Sequence, residues 1–299
     1  MSLPRIANAI VSGAGGFVGR SLVSHIDAAP VQLHLSEDDW LEHVRAADYS
    51  GATVFHLAAK VHGSGVDTEA AFVHDNVDKT VALAHAALDG GARRFVFLSS
   101  VKVNGEETTE RPFRAGDNPA PEDAYGRTKW QAEQALARMS GMEVAIVRSP
   151  LVYGASVKGN LLELMRLADS SLPLPFAGMN NRRSFVHVDD LARLLVECAV
   201  SPKAASGTFM AAHPDCTSTT RLVRTIRGFL GRPPRLFHVP AAVLEGLASL
   251  GAQRAKMRRL TRSLEVDASE TQRSLGWIPQ IAFETSVEDM VRTYRESLG

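Results

Sequence analysis

The chain has 299 residues, 45% hydrophobic and 22% charged, with 33 basic side chains balancing 33 acidic ones. That balance allows a large core without disulfides or metals and leaves no basic surplus for nucleic acid or an anionic membrane surface. Two cysteines, Cys198 and Cys216, lacking CxxC or cysteine–histidine spacing, predict no metal site and a reducing, cytoplasmic setting.

The first apolar segment, Ile6 to Val11, with a β-rich run at Ala9-Ile10-Val11, is too short for an export signal and leads straight into Gly13-Ala14-Gly15-Gly16-Phe17-Val18-Gly19. A strand, a glycine turn and a helix (about Arg20 to Ala28) predict a dinucleotide pyrophosphate resting on a helix N-terminus. Gly13 permits the tight turn, Gly16 lets the backbone approach the pyrophosphate, and Gly19 lets the helix close on the sheet. The spacing is Gly-x-x-Gly-x-x-Gly rather than Gly-x-Gly-x-x-Gly.

Further β-rich runs follow at Val31 to Leu35, Thr53 to Leu57, Arg94 to Leu98 and Val144 to Val147, separated by helical stretches that include Phe72 to Leu88 and Ala124 to Met139. Strand, helix, strand in that rhythm predicts an α/β fold, a Rossmann-type doubly wound parallel sheet covered on both faces. Between the glycine turn and Thr53 there is room for one strand where such folds place two, so the sheet is expected to lack one on the adenosine side. Pro119 and Pro121 keep the chain extended ahead of the helix at Ala124, leaving Glu122 or Asp123 to cap it. Beyond Leu151 the pattern loosens into shorter helices and Gly/Pro loops, interrupted by a helix at Asp189 to Val200, a turn at Pro202 to Gly207 and a strand at Thr208 to Ala211. The expected division is a dinucleotide-binding domain over 1–150 with a return segment at about 184–212, and a smaller C-terminal α/β substrate domain from 151–183 and 213–299. Val239 to Ala252 is apolar but broken by Glu245 and below spanning length, so no membrane insertion is expected.

Tyr125 and Lys129 lie one helical turn apart, a spacing at which an ammonium lowers the pKa of a phenol from its usual value of about 10. Strand Arg94 to Leu98 ends in Ser99-Ser100 at the carboxyl edge where open parallel sheets bind ligands, so Ser100 is the candidate catalytic hydroxyl and Ser99 a cofactor contact. Among the histidines, His62, His74, His85 and His213 lack partners at ligand spacing, and His56 and His187 read as structural.

The glycine spacing, His56-Leu57-Ala58-Ala59, Asn76-Val77 with Thr80, Ser99-Ser100, Tyr-x-x-x-Lys, and Arg183 through Ala192 together resemble the extended short-chain dehydrogenase/reductase family, in its nucleotide-sugar epimerase/dehydratase branch. Ser99 to Glu106 and Asn181 to Ser184 are similar to bacterial reductases of UDP-4-keto-6-deoxy-N-acetylhexosamines in O-antigen and polysaccharide assembly. The resemblance implies a nicotinamide cofactor, NAD or NADP, a nucleotide-sugar substrate and a homodimer built through the Tyr-x-x-x-Lys helix. Ser100, Tyr125 and Lys129 would form the catalytic set. Gly13, Gly16, Phe17, Val18, Gly19, Leu57, Ala58, Ala59, Asn76 and Ser99, with Tyr125 and Lys129, would border the cofactor. Arg183 would grip the diphosphate bidentately, with Asn160 and Leu161 beside it. Lys102 and Asn104 would reach the sugar, and Phe176 either holds the base or fills the core.

Three departures shape the expectation. Dehydratases carry Asp-Glu after the catalytic hydroxyl where this chain has Val101 and Lys102, which leaves elimination unsupported. Leu151 replaces the Asn with which epimerases and dehydratases often bind substrate. Near the expected strand gap, Ser36, Glu37 and Asp38 lean toward NAD but also fit a later strand, so NAD and NADP both stay open. The expected activity is reduction at C4 of a UDP-4-keto-6-deoxy-N-acetylhexosamine. UDP-hexose 4-epimerisation, or a non-catalytic dinucleotide-binding regulatory role, is the alternative.

Overall fold

The computed structural model describes residues 6–27, 29–61, 67–249 and 254–298. Strands β1 (Ala9–Ser12), β2 (Val31–Leu33), β3 (Thr53–His56), β4 (Arg94–Ser100), β5 (Glu143–Ser149) and β9 (Ser206–Met210) form one parallel sheet in the order β2-β1-β3-β4-β5-β9. One strand lies between β1 and β3, so the sheet has six strands and the three-residue β2 is its edge. The Rossmann-type sheet expected from the sequence is present, one strand short on that side.

Burial on both faces explains the near-continuous apolar runs, since neighbouring residues of a strand point to opposite sides. Val11, Phe55, Val96 and Val147 pack on one side with Leu191 and Leu195 of α7 (Val188–Val200), beside α1 (Phe17–Ser24). Ile10, Val54, Phe95 and Ile146 pack on the other with Leu83 of α4 (Lys79–Asp89) and Leu136 of α5 (Ala124–Ala137). On that side α2 (Trp40–Ala46) adds Val44. A third cluster joins α6 (Asn160–Asp169), β7 (Leu174–Ala177), α8 (Thr219–Phe229) and α12 (Phe283–Glu296) through Met165, Phe176, Val223, Ile226, Val287 and Met290. Two small sheets complete this half, β6 (Leu151–Tyr153) with β8 (Phe185–His187), and β7 with β10 (Leu236–His238). Helices α9 (Ala241–Ser249), α10 (Arg254–Thr261) and α11 (Ser269–Leu275) fill the remainder. No helix among the described residues is long and apolar enough to cross a membrane; part of the apolar run to Ala252 lies outside them.

Several boundaries move for local reasons. Helix α1 starts at Phe17, directly on its N-cap Gly16, and ends at Ser24; Ala28 lies outside the described residues. The helix expected over Phe72 to Leu88 is divided into α3 (Glu69–Val73), a π-helical turn at His74–Asp78 and α4, and the wide turn carries the buried Asn76. Asp123, rather than Glu122, caps α5 by accepting a 2.7 Å bond from the Gly126 amide. The expected turn after Pro202 is a 3₁₀ turn, Pro202–Ala204, with the strand resuming at Ser206.

Gly19 has the tightest surroundings in the glycine turn. A Cβ there would lie 2.1 Å from the Gly13 carbonyl oxygen and 2.7 Å from the Ala14 Cα, both backbone, whereas one on Gly15 meets nothing within 4 Å. Gly19→Ala should therefore lower stability to urea by roughly 2–3 kcal/mol, as overpacking against backbone does, with Gly15→Ala changing it by less than about 1 kcal/mol. Equal urea midpoints for the two variants would contradict this packing.

Candidate functional site

The carboxyl ends of β1, β3 and β4 open onto two adjoining hollows. One, of about 480 Å³, is lined on the sheet side by Phe17, Val18, Leu57, Ala59, Ser99, Ser100, Tyr125 and Lys129, and opposite by Lys158, Asn160, Leu161, Arg183 and Arg259. The other, of about 540 Å³, runs from Gly13–Gly16 past Leu33–Ser36, Ala58 and Lys60 to Asp75 and Lys79. Leu57 and Ala59 border both, so the glycine turn lies along one groove.

The turn is built to let a ligand's backbone come close. Gly13 sits at φ +79°, and a Cβ on it would lie 2.7 Å from the Ala58 amide nitrogen. Gly16 caps α1 without a side-chain bond, which leaves first-turn amides for an anion. This cradle of small residues fits a dinucleotide pyrophosphate. Below it, the His56 ring is held between Ser12 (2.5 Å) and Thr80 (2.7 Å), and burial together with the charge of Lys129 lowers its pKa to about 3. Asn76 does not line either hollow. Its amide accepts from the Lys60 nitrogen at 2.7 Å and donates to the Lys60 carbonyl and the Thr128 hydroxyl at 3.1 Å each. It ties the chain after β3 to α5.

Ser100, Tyr125 and Lys129 all line the first of these hollows. Ser100 ends β4 and caps a 3₁₀ turn (Val101–Val103) by accepting from the Lys102 amide at 3.3 Å. Its hydroxyl is hydrogen-bonded to the Tyr125 phenol, whose pKa is pushed up to about 12 by burial and then by Asp123, against the lowering effect of Ser100. The Lys129 amine donates to the Leu98 carbonyl at 2.9 Å, lies 4.4 Å from the Phe97 ring centre, and is lowered to about 7 by burial, with Glu133 opposing. The expected lowering of the phenol by the amine is thus corrected: burial disfavours charge on both groups, and the amine turns to a carbonyl. The Ser99 hydroxyl donates to Glu133 at 2.5 Å, and Glu133 forms a buried ion pair with Arg148 at 2.6 Å.

On the opposite wall the Arg183 guanidinium donates to the Arg262 carbonyl at 3.1 Å, and burial and Arg259 lower its pKa to about 10 against the pull of Glu106. Asn160 and Leu161 open α6 beside it. Lys102 reaches the cavity, yet its amine pairs with Asp123 and, at 2.7 Å, with Glu106. Burial raises the Asp123 carboxyl, but Lys102 outweighs this and holds it at about 2.

Two expected substrate residues are not in the cavity lining. Asn104 is buried, donating to the Arg114 carbonyl and accepting from Arg148, both at 3.1 Å. Phe176, 2% exposed, fills the core of the second half, because the alternation of β7 turns it inward. Glu37 and Asp38 do not line the groove either. Its wall at the end of β2 is His34, Leu35 and Ser36, so the acidic pair gives no basis for preferring NAD. The exposed Glu37, Asp39 and His43 are the one group among the described residues close enough to share a cation, and they lie outside both hollows. His187 caps α7 by accepting from the Asp189 amide at 3.2 Å; His62 lies outside the described residues. Arg259 and the Glu133–Arg148 pair went unassigned in the sequence. The position of Glu133, four residues after Lys129, was the one available signal.

Residues 9–210 match the NAD dependent epimerase/dehydratase family. Over 315 aligned residues the chain is 35% identical to a UDP-glucose 4-epimerase of Vibrio cholerae, covering 96% of this chain and 95% of that protein. Its fold is similar to MoeE5 in complex with UDP-glucuronic acid and NAD, with a TM-score of 0.75, 22% identity, and coverage of 97% of this chain and 100% of that one. It is also similar to RMD from Pseudomonas aeruginosa complexed with NADPH, with a TM-score of 0.77, 17% identity, and coverage of 97% and 100%. At these identities the two structures share the fold alone.

The His56 pocket carries a pH dependence of known sign. Its ring is neutral in the fold down to about pH 3 but charges near its usual pKa of 6.5 once unfolded. The unfolded chain therefore binds the extra proton, and the stability His56 contributes is whole above that usual pKa and lost as pH falls toward the folded value. Urea midpoints should fall between pH 7.5 and pH 5 more steeply in the native chain than in His56→Gln. Parallel slopes would show that His56 is not held neutral.

Proposed function

Since the chain belongs to the NAD dependent epimerase/dehydratase family, we propose that it moves hydride between a nicotinamide dinucleotide and C4 of a UDP-sugar, working as a reductase of a UDP-4-keto-6-deoxy-N-acetylhexosamine. The observation that carries this reading is a buried phenol, Tyr125, kept protonated beside the Ser100 hydroxyl at the end of β4. The bound nicotinamide supplies the hydride that converts the C4 carbonyl to an alcohol. Tyr125 gives its proton to the carbonyl oxygen and regains one from water. Ser100 orients that oxygen, and the Lys129 ammonium offsets the phenolate charge left on Tyr125.

Arg183, with Asn160 and Leu161, is assigned the diphosphate, for which a guanidinium supplies two parallel charge-assisted bonds. Its lowered pKa of about 10 still leaves it charged at neutral pH. No carboxylate directly follows Ser100 to shuttle protons at C5 and C6, because Val101 and Lys102 occupy those places. The missing outer strand leaves β2 at the edge of the sheet beside the groove, which suits cofactor release on every turnover. The second reading, 4-epimerisation on a retained cofactor, is supported by the name of the 35% identical Vibrio relative.

Melting temperature measured with NAD, NADH, NADP and NADPH, each with and without UDP, tests the site, because a ligand of the native state must raise it. One dinucleotide should raise it, UDP should add to the rise, and the purified chain should carry no dinucleotide. Retained dinucleotide would favour the epimerase, and no rise in dinucleotide-free protein would end the enzyme reading. Tyr125→Phe should lower kcat by about 10²-fold or more with the dinucleotide shift unchanged.

A further inference from the structure

Glu133 touches neither hollow, yet it occupies the centre of the most buried ionic cluster near the candidate site. Its side chain is 2% exposed and that of its partner Arg148 4%. Arg148 donates from Nε at 3.0 Å to one carboxylate oxygen and from Nη2 at 2.6 Å to the other, while Ser99 donates to the first. The remaining Arg148 nitrogen donates to Asn104, and the Trp130 ring lies 5.9 Å from the guanidinium. Ser99 and Arg148 are paired neighbours across β4 and β5, so the carboxylate staples the ends of two central strands to α5. Along α5, Tyr125, Lys129 and Glu133 recur every fourth residue and share one face.

We propose that Glu133 is a positioning residue, the fixed counter-charge of Lys129 and the clamp that holds the Ser99–Ser100 strand end against α5. The inference rests on the roles proposed above for Tyr125 and Lys129. Lys129 is 1% exposed, and its one hydrogen bond among the described residues goes to a neutral carbonyl. Two titratable groups act on it or feel its charge, Glu133 on its own helix and the neutral His56 ring from β3; Tyr125 stands one turn earlier on α5, and the Arg148 cation from β5 is paired with Glu133. Only Glu133 contributes negative charge while Tyr125 keeps its proton, and Arg148 prevents that carboxylate from turning away. Burial alone pulls the amine down, and Glu133 opposes it, leaving it at about 7. Without the carboxylate the amine loses its proton at neutral pH, and no cation remains to offset the phenolate.

The test is a ¹³C NMR titration of the full chain with lysine labelled at Cε, the Lys129 signal being identified by its loss in Lys129→Met. Glu133→Gln keeps an acceptor for Ser99 and Arg148 but not the charge, and should lower the Lys129 midpoint by about one pH unit or more. Ser99→Ala removes the hydroxyl and leaves the charge, so its midpoint should match the native chain. Glu133→Asp keeps the charge on a shorter stem and should hold the midpoint near the native value, which tests the proposal even where Glu133→Gln does not fold. An unmoved midpoint in Glu133→Gln, an equal fall in Ser99→Ala, or a fall in Glu133→Asp would overturn the counter-charge. None of these readings needs substrate, so they stand apart from success or failure of the reductase assignment. In turnover, the decline of kcat toward high pH should move to lower pH by the same interval in Glu133→Gln, with KM for the UDP-sugar unchanged. A uniform loss at every pH would reduce Glu133 to a structural role.

Discussion

Charge has to be carried at the carboxyl edge of a sheet whose faces are otherwise apolar, and much of the surrounding structure serves to make that possible. Lys129, Glu133, Arg148, His56 and Asn76 are all at most 3% exposed, and each is bonded to a backbone or side-chain partner. Unpaired, any of them would cost several kcal/mol of desolvation; paired, they join β3, β4, β5 and α5 into one rigid seat. The Tyr125 phenol and the Ser100 hydroxyl rest on that seat, so their geometry follows from the polar network beneath them as much as from their own contacts.

The groove itself reflects a second constraint, close approach of backbone to ligand. Gly13 and Gly19 are pressed against backbone atoms of Ala58 and of the turn itself, which keeps the first turn of α1 clear of side chains. At the edge strand β2 the other end of the groove is walled by Leu33 to Ser36, with Asp75 and Lys79 beside them.

Much of this was legible in the sequence because it is local. The glycine spacing, the apolar runs at 53–57 and 94–98, and the four-residue step from Tyr125 to Lys129 each depend on periodicity or on one turn, and they foretold the sheet, its missing strand and the meeting of Ser100 with Tyr125. What failed depended on how side chains turn once packed. Phe176 and Asn104 occupy the expected stretches of chain, but the alternation of β7 and the pull of Arg148 direct them inward. The lowered phenol pKa failed for a related reason, since spacing reports proximity but not the burial that dominates both groups. The pair of Glu133 with Arg148, fifteen residues apart, and the arrival of Arg259 in the cavity are products of tertiary packing that no short window displays.

The central claim is hydride delivery to C4 of a nucleotide sugar, and isotope transfer tests it most directly. The chain is incubated with a UDP-4-keto-6-deoxy-N-acetylhexosamine and dinucleotide carrying deuterium at the nicotinamide C4, and the product sugar is examined by mass spectrometry and NMR. One deuterium at C4 of the sugar, with matching oxidised dinucleotide, is the predicted result. An unlabelled sugar with the dinucleotide still reduced, under conditions where both are shown to bind, would contradict it.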